Sequence, residues 1–394
     1  MGYRRSAGAG SSNFIPASPG PIGGITPSAG TFTTLTGSVS DKGGQVFNAQ
    51  AYGWLPDGTN RSTQALALLT AMYNANGGTL WFPGSSGAYR CDSQLLIPND
   101  GGSPQPKQPN IRFSGSGGGQ NWYSGADHGN GHANAAVLDL RYTGTGAKIT
   151  TLGLGAFAMD NLLIKDGGGS NTTPLFLTTN TTSAIRENTF WGSGNVAQDA
   201  IVLGGPNAHI GGAITDGFQG YGTNIMCNHF TQLNRGLYGR TYCNSINFNF
   251  NSFQNNVGTR AIESDGSANQ NYSWNIIGNL IEMDVYSYGI YLGYIINAKC
   301  IGNDFWDVGN NHVADIYLSD AACTQGVFIL GHHEGLLSGF IVGNAASIAT
   351  AAIIGSGKSA LNSSNVSMAS LPASDPHVVG QLWRNSGVVT VSAG

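Results

Sequence analysis

Residues 185 to 342 repeat a pattern without repeating their letters, and that repeat restricts the fold more than any other feature. Asparagines recur at Asn188, Asn228, Asn251, Asn279 and Asn303, with Gly331 in the sixth place. Two residues after each stand Phe190, Phe230, Phe253, Ile281, Phe305 and His333; three before stand Ile185, Ile225, Phe248, Ile276, Cys300 and Phe328. The last four intervals, by subtraction, are 23, 28, 24 and 28 residues. A second column runs through Ile201, Leu237, Ile262, Ile290, Ile316 and Phe340. A period in the twenties built from short β-rich segments defines a solenoid, because one turn cannot bury its own apolar face. Inward side chains on a strand are spaced by two, so this spacing requires a parity slip at the asparagine. The expected cause is a one-residue bend with asparagine at positive φ, where glycine also fits. The pattern predicts an all-β chain, a right-handed single-stranded parallel β-helix. A leucine-rich repeat is disfavoured, because no leucine-spaced consensus occurs and the coils vary in length.

Composition limits the partners of such a solenoid. Only 10% of the 394 residues are charged, 60 are glycine, and the net charge is −4. Ordinary domains carry about 25% charged residues, so this surface relies on Asn, Ser, Thr and Gly. That excludes a nucleic-acid footprint. No run of about 18 apolar residues exists to insert into a membrane. The first residues lack the apolar stretch of a secretion signal. Cys91, Cys227, Cys243, Cys300 and Cys323 are odd in number and form no CxxC pair. They are expected to be reduced and mostly buried, as in a protein that matures in a cytosol.

Four regions follow along the chain. Residues 1–42 are rich in Gly, Ser, Pro and Thr and too poor in apolar residues to build a core. Their spaced Phe14, Ile15, Ile22, Ile25, Phe32 and Leu35 fit a segment that orders on a partner. Residues 43–98 read as strand, turn, helix, turn, strand. Ser62 or Thr63 caps a helix presenting Leu66, Leu69 and Tyr73, and Asn76-Gly77-Gly78 ends it. This helix is expected to cap the open end of the solenoid. Residues 99–360 form the body, with a loop-rich insertion at 99–135. Coils restart at 137–142 and run through Ile149, Leu175 and Ile201, with an excursion within 204–222. Residues 361–394 are a linker followed by a short strand segment.

The 43–98 segment resembles the opening module of pectate-lyase-superfamily β-helices, phage tailspikes above all. The resemblance rests on Tyr52-Gly53, Asp57-Gly58-Thr59, the helix, and Gly77-Gly78-Thr79-Leu80-Trp81-Phe82-Pro83. The chain departs at Arg61 and Ser62, where that family often has paired aspartates. The stretch ITPSAGTFTTLTGS and the ending LPASDPHVVGQLWRNSGVVTVSAG are similar to segments of phage structural proteins. The resemblance implies a homotrimeric spike or fibre subunit, assembled in the host cytoplasm and located in the virion tail. It further implies attachment to a tail or baseplate protein through residues 1–42 and recognition of a host surface polysaccharide. A non-catalytic tail piece, and a polysaccharide hydrolase or lyase outside a phage, stay open.

Candidate chemistry falls on outward positions after the asparagines. One column reads His229, Ser252, Leu280, Asp304 and His332; the next reads Thr231, Gln254, Glu282, Trp306 and Glu334. Asp304 and His332 are expected as neighbours on adjacent coils. Glu282 and Glu334 are expected two coils apart, roughly 9.6 Å, near the upper end of the about 6.5–9.5 Å of an inverting acid and base pair. These four are the candidate catalytic residues, with Trp306, Gln254 and His229 as candidate substrate contacts. An ordinary polar face is the competing reading, and the sequence does not decide whether the chain is an enzyme. No cofactor is expected and no metal: His128 and His132 frame a non-helical GNG, and Glu263, Asp265, Asp315 and Asp320 match no calcium loop. Two residues before the asparagines stand Arg186, Met226, Asn249, Ile277, Ile301 and Ile329. If they face outward, the three isoleucines mark an interface along the axis.

Overall fold

The computed structural model describes residues 45–97, 109–117, 135–144, 146–151, 156–169, 172–178, 182–204, 207–209, 212–214, 221–240, 243–265, 271–283, 286–306, 313–319, 326–331, 339–343, 351–354, 372, 374–379, 382–385 and 388–392. Three parallel sheets of eleven, nine and eight strands make up the body. Coils between Gly77 and Leu318 each contribute one strand to each sheet, as in Thr223–Met226, His229–Thr231 and Arg235–Gly239. The fold is a parallel β-helix.

The expected columns are real in the middle of the body. Ile201, Leu237, Ile262, Ile290 and Ile316 stand in register on successive strands of the nine-stranded sheet and are fully buried. Phe190, Phe230 and Phe253 stack along the eight-stranded sheet with ring centroids 5.3 and 4.9 Å apart. Coil stacking thus brings like residues into contact, and each such side chain buries its whole apolar surface.

The asparagines do more than turn the chain. Asn188, Asn228, Asn251, Asn279 and Asn303 are at most 1% exposed. The amide carbonyl of Asn251 accepts from both the backbone N–H and the side-chain Nδ2 of Asn228, at 2.9 and 3.0 Å. Asn279 serves Asn251 in the same way, and Asn303 serves Asn279. Each Nδ2 also donates to a main-chain carbonyl of the preceding coil, for Asn279 that of Phe248. A buried ladder of amides therefore closes the corner with its polar groups paired.

The bend itself sits one residue earlier than expected. Positive φ belongs to Asn161, Glu187, Cys227, Phe250, Gly278, Gly302 and Gly331, not to the five ladder asparagines. Gly331 is thus the equivalent of Gly302 rather than of Asn303. Strand pairing agrees, since Cys300 faces Ile329 and Ile301 faces Leu330. The last coil is consequently offset by one from the sequence alignment. Its column residue in the nine-stranded sheet is Ile341 instead of Phe340. Likewise Phe176, not Leu175, pairs with Ile149 and Ile201. Ile329 is fully buried, so the outward column ends Ile277, Ile301, Leu330.

Helix α1 (Ser62–Asn74) buries Ala65, Leu68, Leu69 and Met72 in the same core as the first coil. Leu66 is exposed, so the face is rotated from the expected one. Neither Ser62 nor Thr63 is the cap: Arg61 stands there without a side-chain capping bond, while Ser62 Oγ accepts from the backbone N–H of Asp92 and Ser93. Asn76, at φ 65°, ends the turn as expected.

The supposed insertion at 99–135 contains a body strand, Asn110–Gly115, paired with Gly77–Phe82 and Ala156–Asp160. Its alternating Ile111 and Phe113 were masked by polar flanks. His128 and His132 lie outside the described residues. The excursion after residue 204 includes an antiparallel hairpin, Asn207–His209 with Gly212–Ile214. Ala352–Ile354 adds a further strand beyond the point where the periodicity fades. Leu382–Asn385 and Val388–Val391 form a separate antiparallel hairpin. No helix among the described residues is long and apolar enough to cross a membrane.

Candidate functional site

The outward face of the eight-stranded sheet carries the predicted site. Six of its eight strands are three residues long, and in the later ones the middle residue points inward: Phe230, Phe253, Ile281 and Phe305 are buried. The first and third residues of each strand therefore face outward. Register stacks His229, Ser252, Leu280 and Asp304 in one column and sets Thr231 beside Gln254 and Glu282 beside Trp306 in the other.

The two ends of this face differ. Toward the N-terminus, Ala135, Val137 and Leu163 form a small buried cluster outside the main core, with Trp191 packed against it. His229, Thr231 and Ser252 are 7%, 3% and 2% exposed. His229 Nδ1 lies 2.8 Å from Ser252 Oγ. His229 is thus a buried, bonded residue in this structure rather than an open sugar contact. From Leu280 onward the face opens. Leu280, Glu282 and Asp304 are half-buried, and Trp306 is 55% exposed. Glu282 Oε2 accepts the backbone N–H of Asn255 at 2.8 Å, which ties it to the turn of the preceding coil. Gln254 is half-buried beside that turn.

The structure therefore brings together Gln254, Glu282, Asp304 and Trp306. Glu282 and Asp304 are on adjacent coils, diagonal to each other. Glu334 and His332 lie outside the described residues. Trp191, three residues after Asn188, belongs to the same column as Thr231. The asparagine spacing contains that signal.

Glu263 and Asp265 have structural partners, as has the nearby Asp199. Asp199 takes a two-pronged contact from Arg235, at 2.8 Å on each oxygen. Glu263 accepts from Arg235 at 2.5 Å and from Arg260. Asp265 accepts from the Tyr238 hydroxyl at 2.8 Å. Burial, followed by that bond, pushes the Tyr238 hydroxyl up to about 12. Burial opposes the charge of Arg235, but Asp199 and Glu263 outweigh it and raise its pKa. Arg235 lies 3.7 Å over the Tyr238 ring and Arg260 lies 3.8 Å over Tyr291, which stacks on Tyr317 at 5.1 Å. These carboxylates are committed to arginines and a tyrosine. Asp315 is buried and Asp320 lies outside the described residues. Among the described residues no group of three or more His, Cys, Asp or Glu could hold a metal ion.

No protein-family model and no curated sequence matches the chain. Solved structures with a similar course include the ORF18 protein of Geobacillus virus E2, at 16% identity and TM-score 0.47, covering 80% of this chain and 62% of that one. The tailspike protein of Acinetobacter baumannii phage AM24 is similar at 15% identity and TM-score 0.49, covering 80% and 48%. The mannuronan C-5 epimerase A-module AlgE6 of Azotobacter vinelandii is similar at 14% identity and TM-score 0.35, covering 78% and 99%. The chain spans less than two thirds of the length of the first two.

Proposed function

We propose that this chain is a phage tail spike or fibre subunit that binds a polysaccharide of the host surface. The observation that carries the reading is Trp306, an exposed indole beside the half-buried Glu282. An exposed aromatic plane next to hydrogen-bonding groups suits a sugar ring, whose one side is apolar and whose rim is polar. Gln254 and Asp304 supply further polar contacts. Purified chain should bind host envelope polysaccharide on an array. Trp306→Ala should weaken that binding at least tenfold while the melting temperature stays unchanged. Failure of the parent chain to bind any host glycan overturns the reading.

A depolymerase is the second reading, favoured by Glu282 being fixed by a backbone N–H one coil from Asp304. Glu334 and His332 are its remaining candidates. Release of reducing ends from the bound polysaccharide should disappear in Glu282→Gln; unchanged release removes this assignment.

Three copies associating side by side complete the proposal. Its support is the outward series Ile277, Ile301 and Leu330 on consecutive coils. Replacing all three with Ser should give folded monomers in native mass measurement, and an intact trimer would place the interface elsewhere. Residues 1–42 are the proposed virion anchor, and α1 the proposed closure of the solenoid end. The crossover rule for parallel strands makes the coil right-handed.

A further inference from the structure

We infer that a concavity on the eleven-stranded sheet, near its N-terminal end, binds a sugar carrying a carboxylate. The hollow measures about 540 Å³ and is lined by Arg112, Asn76, Asn110 and Thr182 among others. That volume is within the range of about 300–1,000 Å³ usual for small-ligand sites. This site is on a different sheet from Trp306, and the inference does not rest on the polysaccharide reading above.

The hollow arises from register. Thr79, Arg112, Ala158 and Ala184 follow one another outward on four consecutive strands. Asn110 pairs with Ala156 in the neighbouring column. Beyond Arg112 and Asn110 the side chains shrink to methyl groups, so the long side chains stand over a floor of alanines. Asn76, just past the end of α1, lies at the rim.

Arg112 is the charged group of the lining among the described residues. Its Nε donates to Asp160 Oδ2 at 2.7 Å, and Ser114 Oγ donates to Asp160 Oδ1 at 2.6 Å. Asp160 is buried, so its charge stands behind the guanidinium and fixes the plane. The bond to Asp160 raises the Arg112 pKa and keeps it charged. The side chain of Arg112 is nonetheless 45% exposed, and its two terminal nitrogens have no partner among the described residues. A planar pair of free donors matches a carboxylate in two-pronged geometry. The side chains of Asn76, Asn110 and Thr182 offer neutral donors and acceptors for hydroxyl groups. No exposed carboxylate among the described lining residues competes for the guanidinium. One cation, neutral amides and a shallow apolar floor together select a monoanionic, hydroxyl-rich ligand. The α1 C-terminus brings only a partial negative charge, which falls off within its last turn.

The test is calorimetric titration of the full chain with glucuronate, glucose and acetate. Glucuronate should bind at least tenfold more tightly than either of the others. Arg112→Gln should bring glucuronate down to the level of glucose. Arg112→Lys, which keeps a charge against Asp160 but loses the fork, should fall between. Ala158→Leu fills the floor while keeping both members of the ion pair and should also abolish binding, which covers the case in which Arg112→Gln unfolds. Acetate binding as tightly as glucuronate would reduce the site to an anion contact and overturn the inference. Glucuronate binding no tighter than glucose, or binding indifferent to Arg112→Gln and Ala158→Leu, would overturn it as well.

Discussion

Asn279 and Glu282 are three residues apart on one coil, yet they answer to different neighbours. Asn279 is enclosed by Asn251, Asn303 and the Phe248 carbonyl, so only an amide of that shape satisfies every group around it. Glu282 touches the Asn255 turn on one side and faces the open end on the other. The inside of the corner therefore repeats from coil to coil, while the outward face changes at every coil: His229, Ser252, Leu280, Asp304. In a solenoid, each inward residue is the packing partner of its own counterparts above and below. Outward residues have no such constraint, and variation there is where recognition can be written.

The largest effect should come from breaking the inward stack. Phe230→Ala removes the ring between Phe190 and Phe253, and unfolding free energy should fall by about 3–5 kcal/mol in urea titration. Next, Asn251→Ala deprives two Asn228 donors of their acceptor. Leaving buried N–H groups unpaired should cost about 2–3 kcal/mol. If that variant is as stable as the parent, the ladder is not what holds the corner.

A pH experiment sharpens the same contrast. Burial pushes the Cys300 thiol from an ordinary 9.0 up to about 12. The folded value is raised, so its contribution is complete below about pH 9 and is lost as pH rises toward 12. Between those limits stability should fall by about 1.4 kcal/mol per pH unit from this group. Urea midpoints at pH 8 and 10 should differ less in Cys300→Ala than in the parent. The smallest effect belongs to the bend. Glu187 sits at φ 58° where later coils use Gly278, Gly302 and Gly331. Relief of about 1–2 kcal/mol, set against about 0.5–1 of glycine entropy, should stabilise Glu187→Gly by about 0.5 kcal/mol.

Sequence by itself determined the solenoid, its coil length and the inward columns of the middle coils, because those depend on local parity and on like residues recurring at a period. It also held the open outward group of Gln254, Glu282, Asp304 and Trp306. It did not determine which residue bends: an αL residue before each asparagine and an αL asparagine give the same letters, and only the hydrogen-bonded ladder separates them. Nor did it reveal that Ile329 is core, since a one-residue register shift exchanges inside for outside. The burial of His229 and the commitment of Glu263 to Arg235 and Arg260 were likewise decided by tertiary structure. Arg112 shows the same limit most clearly, since its hollow exists only because strands distant in the chain set Ala158 and Ala184 beside it. Periodicity fixes what lies along a coil; contacts between coils, and whatever covers a face, depend on chain segments that no local pattern connects.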